Sequence, residues 1–131
     1  MRVIDASALI KYVNRERGWE QVQEHIIAGC GTVDLALKEL GNALWKRVMR
    51  KELTEKQAID LMNFVLEKKI VRVFPQEPLL SEALALSMKT GLPIYDCIYI
   101  VLAKQLGTEL ITSDRKQAEK AKEVGVIALI L

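Results

Sequence analysis

The sequence has few of the side chains that covalent or zinc-dependent catalysis requires. Its 131 residues include two cysteines and one histidine. Cys30 and Cys97 lie far apart and form no CxxC pair, and with His25 alone they cannot assemble a zinc site. No nucleophile–base pair for covalent catalysis stands out either. Two dispersed thiols are typical of a reduced, cytosolic protein.

Aromatic residues and long apolar runs are also scarce. Aromatics make up 5% of the chain although half of it is hydrophobic, so the core must be aliphatic. No apolar run approaches the length of a membrane span, and Asp5 comes too early for a signal peptide. We therefore expect a soluble cytoplasmic protein without a membrane partner. The net charge of +2 excludes a polycation, so any nucleic-acid binding must come from a local site.

The remaining pattern is an alternation of short apolar strands and helices within one domain of residues 1–131. Strands are predicted at Arg2–Ile4, around Thr32–Val33, and at Ile70–Phe74, Glu109–Thr112 and Val126–Leu131. Helices are predicted at 7–15, 19–28, 35–50, from Thr54 onward, at 78–91, 94–106 and 116–124. Strands separated by helices need crossover connections. The predicted fold is therefore a three-layer α/β/α sandwich with a mostly parallel central sheet.

Four acidic residues belong to one edge of this predicted sheet. Asp5 and Asp114 follow the first and fourth strands. Asp96 lies in the first turn of the helix after Pro93, and Glu39 lies in the second turn of the helix after the second strand. Helix N-termini and strand carboxyl ends share one edge in a parallel α/β sheet, and ligands bind there.

Each aspartate has a simpler interpretation when it is taken singly. Asp5, Asp96 and Asp114 each stand near a helix N-terminus, where aspartate is a favoured cap. Glu39 lies beyond the cap positions and borders the packed face, so its carboxylate needs a partner or a metal. Four acids at one edge would repel one another without cations. An all-oxygen carboxylate set suits Mg²⁺ or Mn²⁺.

Four sequence blocks carry a resemblance to a known family. They are Val3-Ile4-Asp5-Ala6-Ser7-Ala8-Leu9-Ile10, Lys38-Glu39-Leu40-Gly41-Asn42-Ala43-Leu44, Tyr95-Asp96-Cys97-Ile98-Tyr99 and Leu110-Ile111-Thr112-Ser113-Asp114. In order and spacing, these blocks resemble those of the PIN-domain nucleases, and in particular the VapC toxins of toxin–antitoxin pairs.

The resemblance implies a five-stranded parallel sheet and a Mg²⁺- or Mn²⁺-dependent ribonuclease. It also implies a homodimer and a small antitoxin partner that blocks the site. The residues that match metal-binding acids are Asp5, Glu39, Asp96 and Asp114. The residues that match supporting positions are Ser7, Asn42, Thr112 and Ser113. Where some members carry a further acid after the last aspartate, this chain has Lys116 and Gln117. The number of metals, one or two, therefore stays open.

Substrate contacts beyond the acids have two interpretations. The run Lys46-Arg47-Val48-Met49-Arg50-Lys51 is the densest basic segment, and Lys11, Arg15 and Arg17 follow the first acid. These side chains would contact phosphates, or they would form a solvated face with favourable charge at a helix C-terminus, which we prefer.

Two other functions compete with the nuclease. A catalytically inactive PIN-like module that binds RNA or acts as a scaffold keeps the fold, but retention of all four acids argues against it. A receiver-type signalling domain needs a phosphate-accepting aspartate at the end of its third strand. The third strand here ends at Val73-Phe74-Pro75, without one, so we consider that function the weaker alternative.

Overall fold

The computed structural model describes all 131 residues as a five-stranded sheet flanked by seven α-helices. The strands are β1 (Arg2–Ile4), β2 (Cys30–Val33), β3 (Arg72–Phe74), β4 (Leu110–Thr112) and β5 (Ala128–Ile130). The helices are α1 (Ala6–Val13), α2 (Trp19–Ala28), α3 (Leu35–Met49), α4 (Glu55–Lys68), α5 (Leu80–Thr90), α6 (Ile94–Leu106) and α7 (Arg115–Glu123). A short 3₁₀ helix, Glu77–Leu79, precedes α5.

All strand pairs are parallel, in the order β3-β2-β1-β4-β5. Val3 in β1 is in register with Gly31 of β2 on one side and with Leu110 of β4 on the other. The chain runs from β1 toward β3 in one direction and returns to β4 on the opposite side of β1. This reversal makes the carboxyl ends of β1 and β4 a topological switch point, where doubly wound sheets bind their ligands.

The helices form a layer on each face of the sheet. Right-handed crossovers place α1 to α4 on one face and α5 to α7 on the other. The packing agrees, because α1 contacts α2 and α3, whereas α5 packs against α6. Val3, Ile4, Leu110 and Ile111 in the two central strands are fully buried. The core is largely aliphatic, as the composition predicts, and it fixes the sheet edge where the acids lie.

The predicted three-layer sandwich is confirmed, with differences only at the ends of elements. The capping box of α4 is present, since Thr54 Oγ1 accepts from the Gln57 N–H at 3.1 Å and Gln57 Oε1 accepts from the Thr54 N–H at 2.9 Å. Gly91 ends α5 with a φ of +77°, as predicted. The strand predicted at Ile70–Phe74 is shorter, because pairing with β2 begins at Arg72. No single helix has both the length and the apolar composition of a membrane span.

Candidate active site

Each of the four predicted acids lies at the carboxyl edge of the sheet. Asp5 is the N-cap of α1, directly after β1, and Asp114 is the N-cap of α7, two residues after β4. Asp96 lies in the first turn of α6, and Glu39 lies in the second turn of α3. Each of Asp5, Glu39 and Asp96 is close enough to another acid of the set for mutual repulsion to raise a carboxyl pKa. The fold therefore brings the predicted acids into one electrostatic cluster.

Asp5 is the most buried acid of this cluster, at 4% exposure. Its Oδ1 accepts hydrogen bonds from the Ala8 N–H at 2.9 Å and from the Ser7 hydroxyl at 2.7 Å. Its Oδ2 lies 2.6 Å from the Thr112 hydroxyl. Burial raises the pKa of Asp5 to about 6, although the hydrogen bonds from Thr112, Ala8 and Ser7 lower it. The carboxylate is thus held in one orientation, while burial makes its charged form unfavourable.

Thr112, at the end of β4, connects Asp5 to the rest of the site. Its hydroxyl accepts from the Asp114 N–H at 3.0 Å and lies 2.8 Å from Gln117 Oε1. Gln117 is 1% exposed, and its Nε2 donates to the Asp96 carbonyl at 3.0 Å. One threonine and one glutamine therefore join the first turns of α1, α6 and α7.

Ser7 and Ser113 line the same junction between β1 and β4. The Ser7 hydroxyl accepts from the Ser113 N–H at 3.0 Å. The Oγ of Ser113 is the one buried side-chain oxygen or nitrogen in the chain that lacks a hydrogen-bond partner. This unpartnered oxygen belongs to the residue directly before Asp114.

Glu39 reaches across the sheet edge from α3 to Tyr99 on α6. The Tyr99 hydroxyl donates to Glu39 Oε2 at 3.4 Å, a long hydrogen bond. Burial, together with the Asp5 and Asp96 charges, raises the pKa of Glu39 to about 7, and the Tyr99 hydrogen bond opposes this rise. Burial and the Glu39 charge hold the pKa of Tyr99 above its usual range, so this phenol stays protonated.

Asp96 has a base nearby, which the sequence blocks alone did not indicate. Burial raises the pKa of Asp96, the Asp114 charge raises it further, and the Lys116 charge lowers it. Lys116 is exposed in the first turn of α7. Lys116 is therefore a base with an electrostatic effect on this cluster.

The donor set suits a hard divalent cation in its chemistry. Carboxylates and hydroxyls are the ligands that Mg²⁺ and Mn²⁺ take in proteins, and Asp5, Glu39 and Asp96 all have pKa values that a cation would lower. No three of the chain's acidic, histidine or cysteine side chains are arranged to hold one ion as they stand. At least one carboxylate must therefore rotate toward the others before three could share an ion.

The structure shows which of the three aspartates act as helix caps. Asp5 and Asp114 are caps, since each accepts from the backbone N–H three residues later. Asp96 is not a cap, because Pro93 holds that position and no side-chain cap bond forms there. Asn42, predicted as a supporting residue, is exposed one turn after Glu39. It makes no hydrogen bond to the acids.

Two residues that contact the acids were absent from the predicted site. Tyr99 follows Asp96 by three residues, so helical spacing on α6 could have placed it beside the acids. Gln117 stands three residues after Asp114, at the position whose N–H the capping carboxylate binds. Its buried contacts with Thr112 of β4 and with the Asp96 carbonyl of α6, however, join separate elements, and local spacing does not reveal them.

With this site at the switch point of a parallel sheet, the chain belongs to the PIN-domain family. A sequence model of that family matches residues 2–123. Among curated relatives, the chain is similar to ribonuclease VapC3 of Pyrobaculum aerophilum, with 38% identity over 90% of this chain and 92% of the relative. It is also 30% identical to exonuclease VapC9 of the same organism, over 92% of this chain and 85% of the relative.

Solved structures show the same fold. The crystal structure of PAE2754 from Pyrobaculum aerophilum superposes with a TM-score of 0.74 at 30% identity, covering 97% of this chain and 82% of that one. FitAcB from Neisseria gonorrhoeae gives a TM-score of 0.68 at 15% identity, covering 98% and 96%. A toxin–antitoxin complex from Klebsiella pneumoniae gives 0.60 at 16% identity, covering 89% of each chain. The expected PIN-like architecture is thus confirmed.

Proposed function

We propose that this chain is a ribonuclease of the VapC type, dependent on Mg²⁺ or Mn²⁺, with Asp5, Glu39, Asp96 and Asp114 as its metal-binding and catalytic acids. The observation that carries the proposal is the cluster of acids at the switch point, where three carboxyl pKa values are raised. Such an arrangement costs stability unless a cation neutralises it. The names of the two Pyrobaculum relatives support the nuclease class.

The contacts of each acid indicate its role in the proposed reaction. Asp5 is fixed by Ser7 and Thr112, so it presents a preorganised carboxylate to the ion. Glu39 lies beside Asp5 and Asp96 and contacts the Tyr99 hydroxyl, a position from which it would orient a water or accept its proton. The cation, when bound, would supply Lewis-acid stabilisation to the scissile phosphate. Asp114, exposed at the rim, would complete the ligand set.

We also propose a small antitoxin protein as partner. One of the solved structures with this fold is described as a toxin–antitoxin complex. A concavity of about 450 Å³ between α3 and α4 is lined by Trp45, Met49 and Ile59, each more than half exposed. Apolar patches of this kind mark protein interaction surfaces. The homodimer and the cytoplasmic location expected from the sequence stay predictions.

The decisive experiment compares RNA cleavage by the wild type, Asp5→Asn and Asp60→Asn. Asp60 is an exposed aspartate on α4 paired with Lys56, so its variant controls for the loss of a carboxylate elsewhere. We expect wild type and Asp60→Asn to cut single-stranded or structured RNA with Mg²⁺ or Mn²⁺ and not with EDTA. Asp5→Asn should lose activity by at least about a hundredfold.

Two results would contradict the proposal in different ways. Cleavage that survives both EDTA and Asp5→Asn would exclude the metal site as its source. A wild type that cuts none of the RNAs and binds no Mn²⁺ would instead favour the inactive RNA-binding or scaffold module.

A further inference from the structure

Helices α1 and α3 connect the acid cluster to a second, basic feature. Both begin at the carboxyl edge of the sheet, with Asp5 as the cap of α1 and Glu39 in the second turn of α3. They pack side by side, and their C-terminal ends lie away from that edge. We call the surface between them the α1–α3 groove. It starts at the acids and ends near Asn14 and Arg50.

One face of α3 carries both the acid and the basic residues. Glu39, Ala43, Lys46 and Arg50 follow each other at intervals of three or four residues, which places them in one line along the helix. At 1.5 Å per residue, Lys46 lies about 10 Å and Arg50 about 16 Å beyond Glu39 along the axis. The basic side chains therefore continue the line that begins at the candidate active site.

The structure forms a concavity at the basic end of this line. Its volume is about 430 Å³. The residues of α1, α3 and their C-caps that line it include Ile10, Asn14, Ala43, Lys46, Arg47 and Arg50. Ser7, which binds Asp5, precedes Ile10 by three residues and Asn14 by seven, so α1 also presents one face from the acids to the concavity.

Arg47 is held in place by its neighbours, whereas Lys46 and Arg50 remain free. The Arg47 guanidinium donates to Asn14 Oδ1 at 2.9 Å and to Glu52 Oε1 at 3.2 Å. This ties α1 to the segment that follows α3 and neutralises Glu52. Lys46 and Arg50 are exposed, and neither has an acidic side chain within 4.0 Å. Glu16 is the other acid that lines the concavity.

We infer that the α1–α3 groove binds the RNA strand next to the scissile phosphate, with Lys46 and Arg50 contacting two flanking phosphates. This inference rests on the proposed ribonuclease function. The acid cluster can receive a phosphate only where a cation neutralises it, so the neighbouring phosphates need positive side chains of the protein. A line from the acids to two unpaired cations, on the same helix face, meets that requirement. Backbone contacts of this kind strengthen binding without selecting a base sequence.

The first test measures RNA binding as a function of salt. A labelled single-stranded RNA of about 12 nucleotides, with phosphorothioate linkages that resist cleavage, is titrated by fluorescence anisotropy with wild-type protein and Mg²⁺, so that binding is separated from cleavage. The double variant Lys46→Gln with Arg50→Gln, which we call the groove variant, should bind this RNA on the order of tenfold more weakly at low salt. The slope of log K against log salt should fall by about 1.4, or about 0.7 for each lost phosphate contact.

The matched control removes two charges from the opposite face. Lys89 on α5 and Lys104 on α6 are exposed and have no salt bridge. Lys89→Gln with Lys104→Gln should leave the slope unchanged. A groove variant whose slope equals that of the parent, or a control that loses as much as the groove variant, would overturn the inference.

The second test uses substrate length in the otherwise wild-type chain. A dinucleotide holds only the scissile phosphate and cannot reach Lys46 or Arg50. The groove variant should therefore lose kcat/KM on the longer RNA and keep it on the dinucleotide. Equal losses on both substrates would overturn the inference. If the wild type cleaves no RNA, the proposed function fails, and the salt slopes still decide whether this groove binds the strand.

Discussion

At the acid edge, Asp5 is almost fully buried and bound by Ser7, Ala8 and Thr112, whereas at the far end of the α1–α3 groove Lys46 and Arg50 are exposed and unpaired. The two ends differ in how their charge is held. Burial of the acids raises their pKa values, and a network of hydrogen bonds keeps them in place. The bases are solvated, and only Arg47 beside them is fixed.

This difference predicts which changes affect stability and which affect only binding. Removing a partner from a buried network leaves other groups unsatisfied, so the free energy of unfolding should fall. Removing a solvated lysine or arginine changes the free energy of unfolding by little. Variants at the acid edge should therefore alter both folding and chemistry, while variants of the unpaired Lys46 and Arg50 at the basic end should alter substrate binding alone.

The largest stability effect is expected for Thr112→Val. This isosteric change removes a hydroxyl that contacts Asp5 Oδ2, the Asp114 N–H and Gln117 Oε1. We expect a loss of about 2–3 kcal/mol in the free energy of unfolding, because buried polar atoms lose their partner. Cleavage should fall as well, since Asp5 loses its orientation. Urea unfolding and RNA cleavage assays measure the two effects.

Thr32→Val is the matched control for Thr112→Val. Thr32 is equally buried in the neighbouring strand β2, but its hydroxyl only donates to the Ile4 carbonyl, at 2.7 Å. Its loss should cost about 1 kcal/mol and leave the specific activity intact. Equal destabilisation by the two variants would contradict the view that Thr112 joins several elements of the site.

An effect of similar size is expected from the pH dependence of stability in the metal-free protein. The pKa of Asp5 rises from 3.8 to about 6 and that of Glu39 from 4.5 to about 7. The folded state then binds protons more tightly than the unfolded state, so the free energy of unfolding falls as pH rises from about 4 to 7. Asp5 alone would account for on the order of 2–3 kcal/mol of this fall, at about 1.4 kcal/mol per pKa unit.

Urea unfolding in EDTA at pH 4.5, 6 and 8 would check this dependence. Asp5→Asn should flatten the curve, since its side chain has no proton to lose. Mn²⁺ should restore stability at pH 8, because a cation binds the deprotonated acids of the folded state. A wild type without metal that gains stability toward pH 8 would contradict the sign of these pKa shifts.

A smaller effect is expected for Arg47→Gln at the basic end. The change breaks the contacts of Arg47 with Asn14 and Glu52, of which Glu52 is about half exposed. We expect a loss of about 1 kcal/mol in the free energy of unfolding. RNA binding should weaken less than in Lys46→Gln with Arg50→Gln. Thermal unfolding and RNA titration measure the two quantities. A larger binding loss for Arg47→Gln would place the main phosphate contact at Arg47 instead.

The smallest effect is expected for Tyr99→Phe. The Tyr99–Glu39 hydrogen bond is long, at 3.4 Å, so its loss should cost less than about 1 kcal/mol. This contact lowers the pKa of Glu39, and its removal should move that pKa upward. The rising limb of the pH–activity profile should then shift to higher pH. A shift to lower pH would contradict the proposed role of this phenol.

Much of the fold followed from local patterns in the sequence. Alternating strands and helices predicted the parallel sheet, and the positions of Asp5 and Asp114 after β1 and β4 predicted their common edge. The ends of β3 and β5 were less predictable, because they depend on pairing with short neighbouring strands. Cap chemistry at Asp5 and Asp114 was also visible, since the residue type and its place before a helix suffice.

The contacts between elements were not predictable in the same way. The Glu39–Tyr99 pair joins α3 to α6 across the sheet, and Gln117 joins α7 to α6. Both depend on tertiary packing that spacing along one helix does not encode. The effect of Lys116 on Asp96 arises at the same junction. The sequence therefore predicted the common edge of the acids better than the residues that tune their pKa values.

The most direct test of the central claim is a calorimetric titration of the wild type with Mn²⁺ at pH 6 and pH 8, beside Asp5→Asn and Asp60→Asn. If the acids form a divalent-cation site, wild type and Asp60→Asn should bind Mn²⁺ more tightly at pH 8, because Asp5 and Glu39 are then deprotonated. Asp5→Asn should lose most of this affinity. Mn²⁺ binding that is equal in all three proteins and independent of pH would contradict the account.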